Sequence, residues 1–224
     1  LDRSSAASDV YKRQHFSNIF QSKIRSVSLT DIGAIINAML EAFSAVAGNS
    51  NVRWQVLKET SIELMATELL EIFPNSKFIQ LLRDPRDNYG ALKSGVDSHY
   101  RRFGEDEHMI LSSLIYRARL GMMYARGNIQ RFGAERYRVV RFEDLIQDSE
   151  NILGELCSFL GINFHNTLLV PTVLGQPTKG NNFDQLDFST ISDRNIGRWK
   201  QRISEEEAAI IEFHFGSLMD EFGY

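Results

Sequence analysis

The chain has a single cysteine, Cys157, so an internal disulfide framework is excluded. That thiol sits among apolar positions at helical spacing and reads as core filler, and such sparse use of cysteine leans towards the cytoplasm. Long apolar runs are missing too, and no stretch approaches the roughly 18 residues of a membrane-spanning helix. Nor is there a basic excess. With 25 Lys and Arg against 29 Asp and Glu, the net charge is −4. That balance argues against nucleic acid as a partner and leaves room for a local anion site. GxxxxGK[ST], GxGxxG, GxSxG, HExxH and paired-cysteine spacings are all absent. The five histidines are scattered, so no metal site is expected.

What remains is an ordinary globular composition, 43% hydrophobic and 24% charged over 224 residues, which suits one domain with a sizeable core. The first 14 residues, LDRSSAASDVYKRQ, show no apolar period and lack the apolar segment of a signal peptide. They read as an extraneous leader, leaving a single domain over 15–224. Within it, Ile32, Ile35, Ile36, Met39, Leu40 and Phe43 recur at helical spacing up to Gly48. RWQVLK (53–58) reads as a short strand, and Thr60 with Glu63 as a capping box for the next helix. KFIQLL (77–82) and YRVVRF (137–142) are further strands. Helices are expected from Arg86, around Leu111–Met122 towards Arg131, around Ile152–Leu160, and after a second capping box at Ser204 and Glu207. Residues 163–193 have no sustained period and read as a binding loop or lid. Strands alternating with helices predict an α/β fold with a parallel sheet flanked by helices.

In such sheets ligands bind beyond the carboxyl ends of the strands. There the sequence places RDPRD, residues 83–87. Two readings stand side by side. One is a surface turn held by ion pairs; the other is an anion site in which Arg83 joins the free N–H groups of the following helix. ISDRNIGRWK (191–200) repeats the choice, with Arg194, Arg198 and Lys200 around Trp199. It is either a helix start with solvated charges or a second cationic arm.

Three blocks, FPNSKFIQLLRDPRDNY, YRVVRFEDLIQDSENILGELCSFLGI and NIGRWKQRISEEEAAIIEFHFGSLMDEFGY, occur in an order that resembles the sulfotransferase superfamily, from about residue 52 onward. The resemblance is nearer to its bacterial and protein-tyrosine-type members. It implies a P-loop-NTPase-like fold and transfer of a sulfuryl group from 3'-phosphoadenosine 5'-phosphosulfate (PAPS) to an acceptor hydroxyl of a carbohydrate, a peptide tyrosine or a small molecule. By the same resemblance Arg83 and Arg198 bind the 3'-phosphate, and Arg194 is a further candidate. Ser94 is the nearest hydroxyl to a serine position that holds Ala91. Phe142 stands where a tyrosine often opens the FEDL block. Lys58 matches the strand-end lysine that supports the leaving phosphate; on spacing alone it is a solvated lysine. Asn181 and Asn182 fall near a loop that lies close to the sulfuryl group in relatives. The family's 5'-phosphosulfate turn is not found at any of the four prolines. The chain is therefore expected to lack the first strand and that loop, and to be inactive as a fragment. The rival readings are a P-loop-type nucleotide kinase and a non-catalytic nucleotide-binding protein.

Overall fold

The computed structural model describes residues 3–28, 30–48, 52–173, 176–178, 180, 182–184 and 186–224. The chain divides into two compact units, Leu1–Thr60 with Glu71–Pro74, and Ser61–Leu70 with Asn75–Tyr224. The sequence reading has one domain from residue 15.

In the first unit, α1 (Arg3–Ile24) includes most of the stretch read as a leader, and it packs against α2 (Ile32–Val46). Asp31 caps α2 by accepting the Ala34 N–H at 2.9 Å, and Ala38 and Ala42 are buried. An ion pair between Lys23 and Glu41 joins the two helices. Residues 53–58 do not form the expected strand. A strand needs a neighbour for its ladder, and among the described residues none lies beside this segment. Gln55 instead donates its side-chain amide to Ser44 Oγ at 2.7 Å and to the Leu40 carbonyl at 3.2 Å, while Val56 is 85% exposed.

The Thr60–Glu63 capping box does not form either. Thr60 donates both its N–H and its hydroxyl to Glu59, at 2.7 and 3.1 Å, because the adjacent carboxylate is the closer acceptor. Ser61 takes a left-handed backbone (φ 63°) ahead of the 3₁₀ turn Ile62–Met65, which runs into α3 (Ala66–Ile72).

The second unit centres on β1 (Phe78–Leu82) and β2 (Tyr137–Arg141), a parallel pair registered Phe78 with Tyr137 through to Leu82 with Arg141. It is a small parallel sheet in a helix-rich fold. Between the strands run α4 (Pro85–Lys93) and α5 (Glu107–Phe132); α6 (Phe142–Gln147) and α7 (Ser149–Leu160) follow. The long loop holds a two-residue hairpin, β3 (Thr172–Val173) with β4 (Gln176–Pro177), before α8 (Trp199–Arg202) and α9 (Glu205–Phe222). Ile110, Leu111, Leu114, Met122 and Ala125 of α5 meet Ile211, Phe215, Leu218 and Met219 of α9, with Leu82 and Tyr89 in the same core. Each fully buried side chain of this kind contributes about 1.5–3 kcal/mol.

Gln80, though inside β1, has a partner at both side-chain heteroatoms. It donates to the Gly121 carbonyl at 2.9 Å and accepts the Tyr137 hydroxyl at 2.7 Å, and burial pushes that phenol up to about 12. No helix among the described residues is long and apolar enough to cross a membrane.

Candidate functional site

The end of β1 delivers Arg83 directly before Asp84, which caps α4 by accepting the Arg86 N–H at 2.8 Å. Pro85 has no N–H to give. Together they leave the first turn of α4 with fewer free donors than the sequence reading assumes, because the cap is internal. Arg86 wraps the same carboxylate, with Nη2 to Asp84 at 2.8 Å, and reaches Glu212 on α9 at 2.8 Å. Its Cζ lies 4.5 Å from the Trp199 ring centroid. This half of RDPRD is an ion-pair turn.

Arg83 behaves differently. Its guanidinium lies 4.8 Å from the Phe142 ring centroid and donates through Nη2 to the Asn195 carbonyl at 3.1 Å. The Nε is buried with no hydrogen-bond partner. Burial holds this guanidinium below its ordinary value, against the opposing pull of Asp87, Glu143 and Asp84. A desolvated cation with a spare donor is well suited to a bound oxyanion. The Phe142 ring serves here as the platform for Arg83.

Two acids that sequence reasoning passed over build the frame. Asp87, 2% exposed, accepts the Gly197 N–H at 2.6 Å and the Trp199 N–H at 2.8 Å. It thereby fixes the residues on either side of Arg198. Glu143 accepts the Asp84 N–H at 3.0 Å, tying the strand end to the start of α6. Asp87 had one legible signal: with Asp84 already the cap, a second acid at the third helical position is free for another partner.

Arg198 donates through Nη1 to Asn195 Oδ1 at 3.1 Å and pairs with Asp184 at 3.2 Å. Arg83 and Arg198 therefore converge on one residue, Asn195. The other expected site residues do not share Asn195. Arg194 folds back on 187–192, donating to Ser192 Oγ at 3.2 Å and to the Asp187 carbonyl at 2.9 Å. Ser94 ends α4 with its hydroxyl donated to the Gly90 carbonyl at 3.0 Å. Lys58 belongs to the first unit, exposed on the extended segment. Asn181 lies outside the described residues; Asn182 exchanges side-chain hydrogen bonds with Leu186 at 2.8 and 2.9 Å.

The long loop touches the 95–103 segment through Phe183, whose ring centroid is 5.5 Å from that of Tyr100 and 5.7 Å from that of His99. Gly95 makes room for it, since a Cβ there would lie 2.6 Å from the Phe183 ring.

A model described as "Sulfotransferase family" matches residues 6–166 of this chain. The chain belongs to the sulfotransferase family. Two curated relatives, both named omega-hydroxy-beta-dihydromenaquinone-9 sulfotransferase Stf3, come from Mycobacterium bovis and Mycobacterium tuberculosis. Each is 27% identical over 176 residues, covering 75% of this chain and 41% of the relative. The chain thus spans less than half the length of these relatives. Two solved structures share the fold. The sulfotransferase domain from the curacin biosynthetic pathway has a TM-score of 0.53 at 18% identity, over 89% of this chain and 77% of that one. The sulfotransferase domain from the Synechococcus PCC 7002 olefin synthase has a TM-score of 0.57 at 20% identity, over 92% and 74%. These neighbours agree with an α/β assignment for this family member. The matched residues include Arg83 and Glu143 and stop short of Asn195 and Arg198.

Proposed function

We propose that the Arg83–Arg198 arrangement is the 3'-phosphate half of a PAPS site, in an enzyme of P-loop-like fold that transfers a sulfuryl group to an acceptor hydroxyl. The observation that carries this is the convergence of two guanidinium groups on Asn195, one of them with a buried, unpartnered Nε. A phosphomonoester oxygen gives that Nε the charge-assisted partner it lacks. When bound, PAPS supplies an activated sulfuryl group.

The chain's own contribution is orientation and charge. Arg83 and Arg198 hold the phosphate, and Asp87 holds Arg198 in place through the amides on either side of it. By family resemblance Lys58 supplies the cation that faces the leaving phosphate. Ser94 and Arg194 are the further candidates on the cofactor side. The acceptor class is a hydroxyl, in keeping with the names of the mycobacterial relatives, and the 95–110 and 163–193 segments, which meet at Phe183, are its proposed walls.

The test is thermal stabilisation by 3'-phosphoadenosine 5'-phosphate against ATP, in the wild-type chain and in Arg83→Ala. Stabilisation by the 3'-phosphate nucleotide, lost in the variant, is expected. A preference for ATP would reject the sulfotransferase reading in favour of a kinase-like site.

A further inference from the structure

Arg202 was not among the residues expected at the site, yet its side chain is only 10% exposed and is directed to the same place. It ends α8 four residues after Arg198, a spacing that puts both on one helical face. Its stem lies along α4 at Gly90, where a Cβ would come within 3.3 Å of Arg202 Cβ and 3.4 Å of its Cδ. Arg202 Nη2 and Arg198 Nη1 share one oxygen, Asp184 Oδ2. Burial, and then the repulsion of Arg198 and Arg83, hold the Arg202 guanidinium below its ordinary value despite Asp184 and Asp87. Three cations therefore crowd together, and the single charge of Asp184, delivered by the long loop, is shared by two of them. An oxygen held between two guanidinium groups is a place that a phosphate oxygen can also take.

We propose that Arg202 is the third guanidinium of the phosphate site, and that Asp184 is a built-in competitor which a bound phosphomonoester dianion displaces. The proposal rests on the reading of Arg83 and Arg198 as the 3'-phosphate site. A dianion carries more charge than one carboxylate and has three oxygens for three guanidinium groups. Asp184 adjoins Phe183 in the chain, so displacing it links anion binding to the position of the 182–184 segment.

The test is calorimetric titration of the full chain with 3'-phosphoadenosine 5'-phosphate, with adenosine 5'-monophosphate as the probe lacking the 3'-phosphate. Arg202→Ala is expected to weaken the bisphosphate about tenfold and leave the monophosphate unchanged, with Arg202→Lys in between. Asp184→Asn, which keeps the side chain's shape, is expected to tighten the bisphosphate by about fivefold to tenfold, most at low salt. If Arg83→Ala weakens the bisphosphate while Arg202→Ala and Arg202→Lys do not, this proposal fails and the underlying site stands. Weaker or unchanged binding in Asp184→Asn overturns the competitor role, and this variant decides the matter if Arg202→Ala does not fold. A wild-type chain that fails to distinguish the two nucleotides overturns the 3'-phosphate reading itself.

Discussion

Asp87→Ala removes the two hydrogen bonds that bind the 195–199 segment to α4. Both carboxylate oxygens are used, at 2.6 Å from the Gly197 nitrogen and 2.8 Å from the Trp199 nitrogen. Hydrogen bonds to a charged group contribute about 1.5–3 kcal/mol each. Gly197 and Trp199 are half-buried, so water reaches part of what the carboxylate leaves, and the lower end of that range applies. The expected cost is therefore about 3 kcal/mol, which for a unit of this size lowers Tm by roughly 6–12 °C. Asp87→Asn keeps one acceptor and sets an NH2 against the other N–H, so it should fall between Ala and wild type. Circular dichroism melts give the stability, and Trp199 emission in a Trp54→Phe background reports the local loosening. Loss of affinity for 3'-phosphoadenosine 5'-phosphate should accompany both, because Arg198 lies between the two released amides. A melt of Asp87→Ala within about 2 °C of wild type, with Trp199 emission unchanged, would refute this reasoning.

Gly95→Ala should eject Phe183, since the backbone at Gly95 (φ −92°) accepts alanine and only the ring at 2.6 Å opposes it. The expected cost is about 1–2 kcal/mol, and it should vanish in a Phe183→Ala background, which denaturant unfolding of the double variant checks. Glu207 predicts the acid limb of stability. Burial opposes its ionisation, but hydrogen bonds from Lys93, the Ser204 N–H and Tyr89 outweigh this and hold the carboxyl below its ordinary 4.5. The unfolded chain therefore binds the proton more readily, so this stabilisation is complete above pH 4.5 and lost as pH falls through the lower folded value. Glu207→Gln should flatten the fall in Tm between about pH 5 and pH 3, and an unchanged acid limb would count against it.

Elements whose signals are local were legible in the sequence. The Ser204–Glu207 capping box forms in both directions, at 3.1 and 2.7 Å, and opens α9 where the spacing put it. Asp84 and Pro85 start α4, Gly161 closes α7 with φ 66°, and the two apolar runs become β1 and β2. What failed had a non-local cause. Residues 53–58 have strand composition, but pairing needs a neighbour that composition does not supply. Thr60 and Glu63 have capping-box spacing, yet Glu59 offers a closer acceptor, and Glu63 Oε1 ends near Gly121, 3.1 Å from where a Cβ would sit. Of the proposed site, Arg83 and Arg198 were named by resemblance, whereas Arg202 was not, although it stands four residues after Arg198. Asp87 was the hardest to foresee, because what it binds is backbone, which leaves no trace in side-chain identity.

The RDPRD cluster shows why its two readings could not be separated in one dimension. The ion-pair reading holds for Arg86, and the proposed anion falls to Arg83. Arg86 has carboxylates on either side of it, Asp84 within its own turn and Glu212 on α9, and its charge is matched before any ligand arrives. Arg83 has acids nearby as well, but Asp87 is committed to two amides, Glu143 Oε1 to the Asp84 N–H, and Asp84 to Arg86. Glu143 Oε2 is buried without a hydrogen-bond partner, as Arg83 Nε is, and among the described residues Arg83 donates to one carbonyl and lies against a ring. The same local count of charge thus yields a closed ion pair at one arginine and an open donor at the next. That asymmetry, set by partners more than 100 residues away in the chain at Gly197, Trp199 and Glu212, is what the proposed anion site at Arg83 rests on.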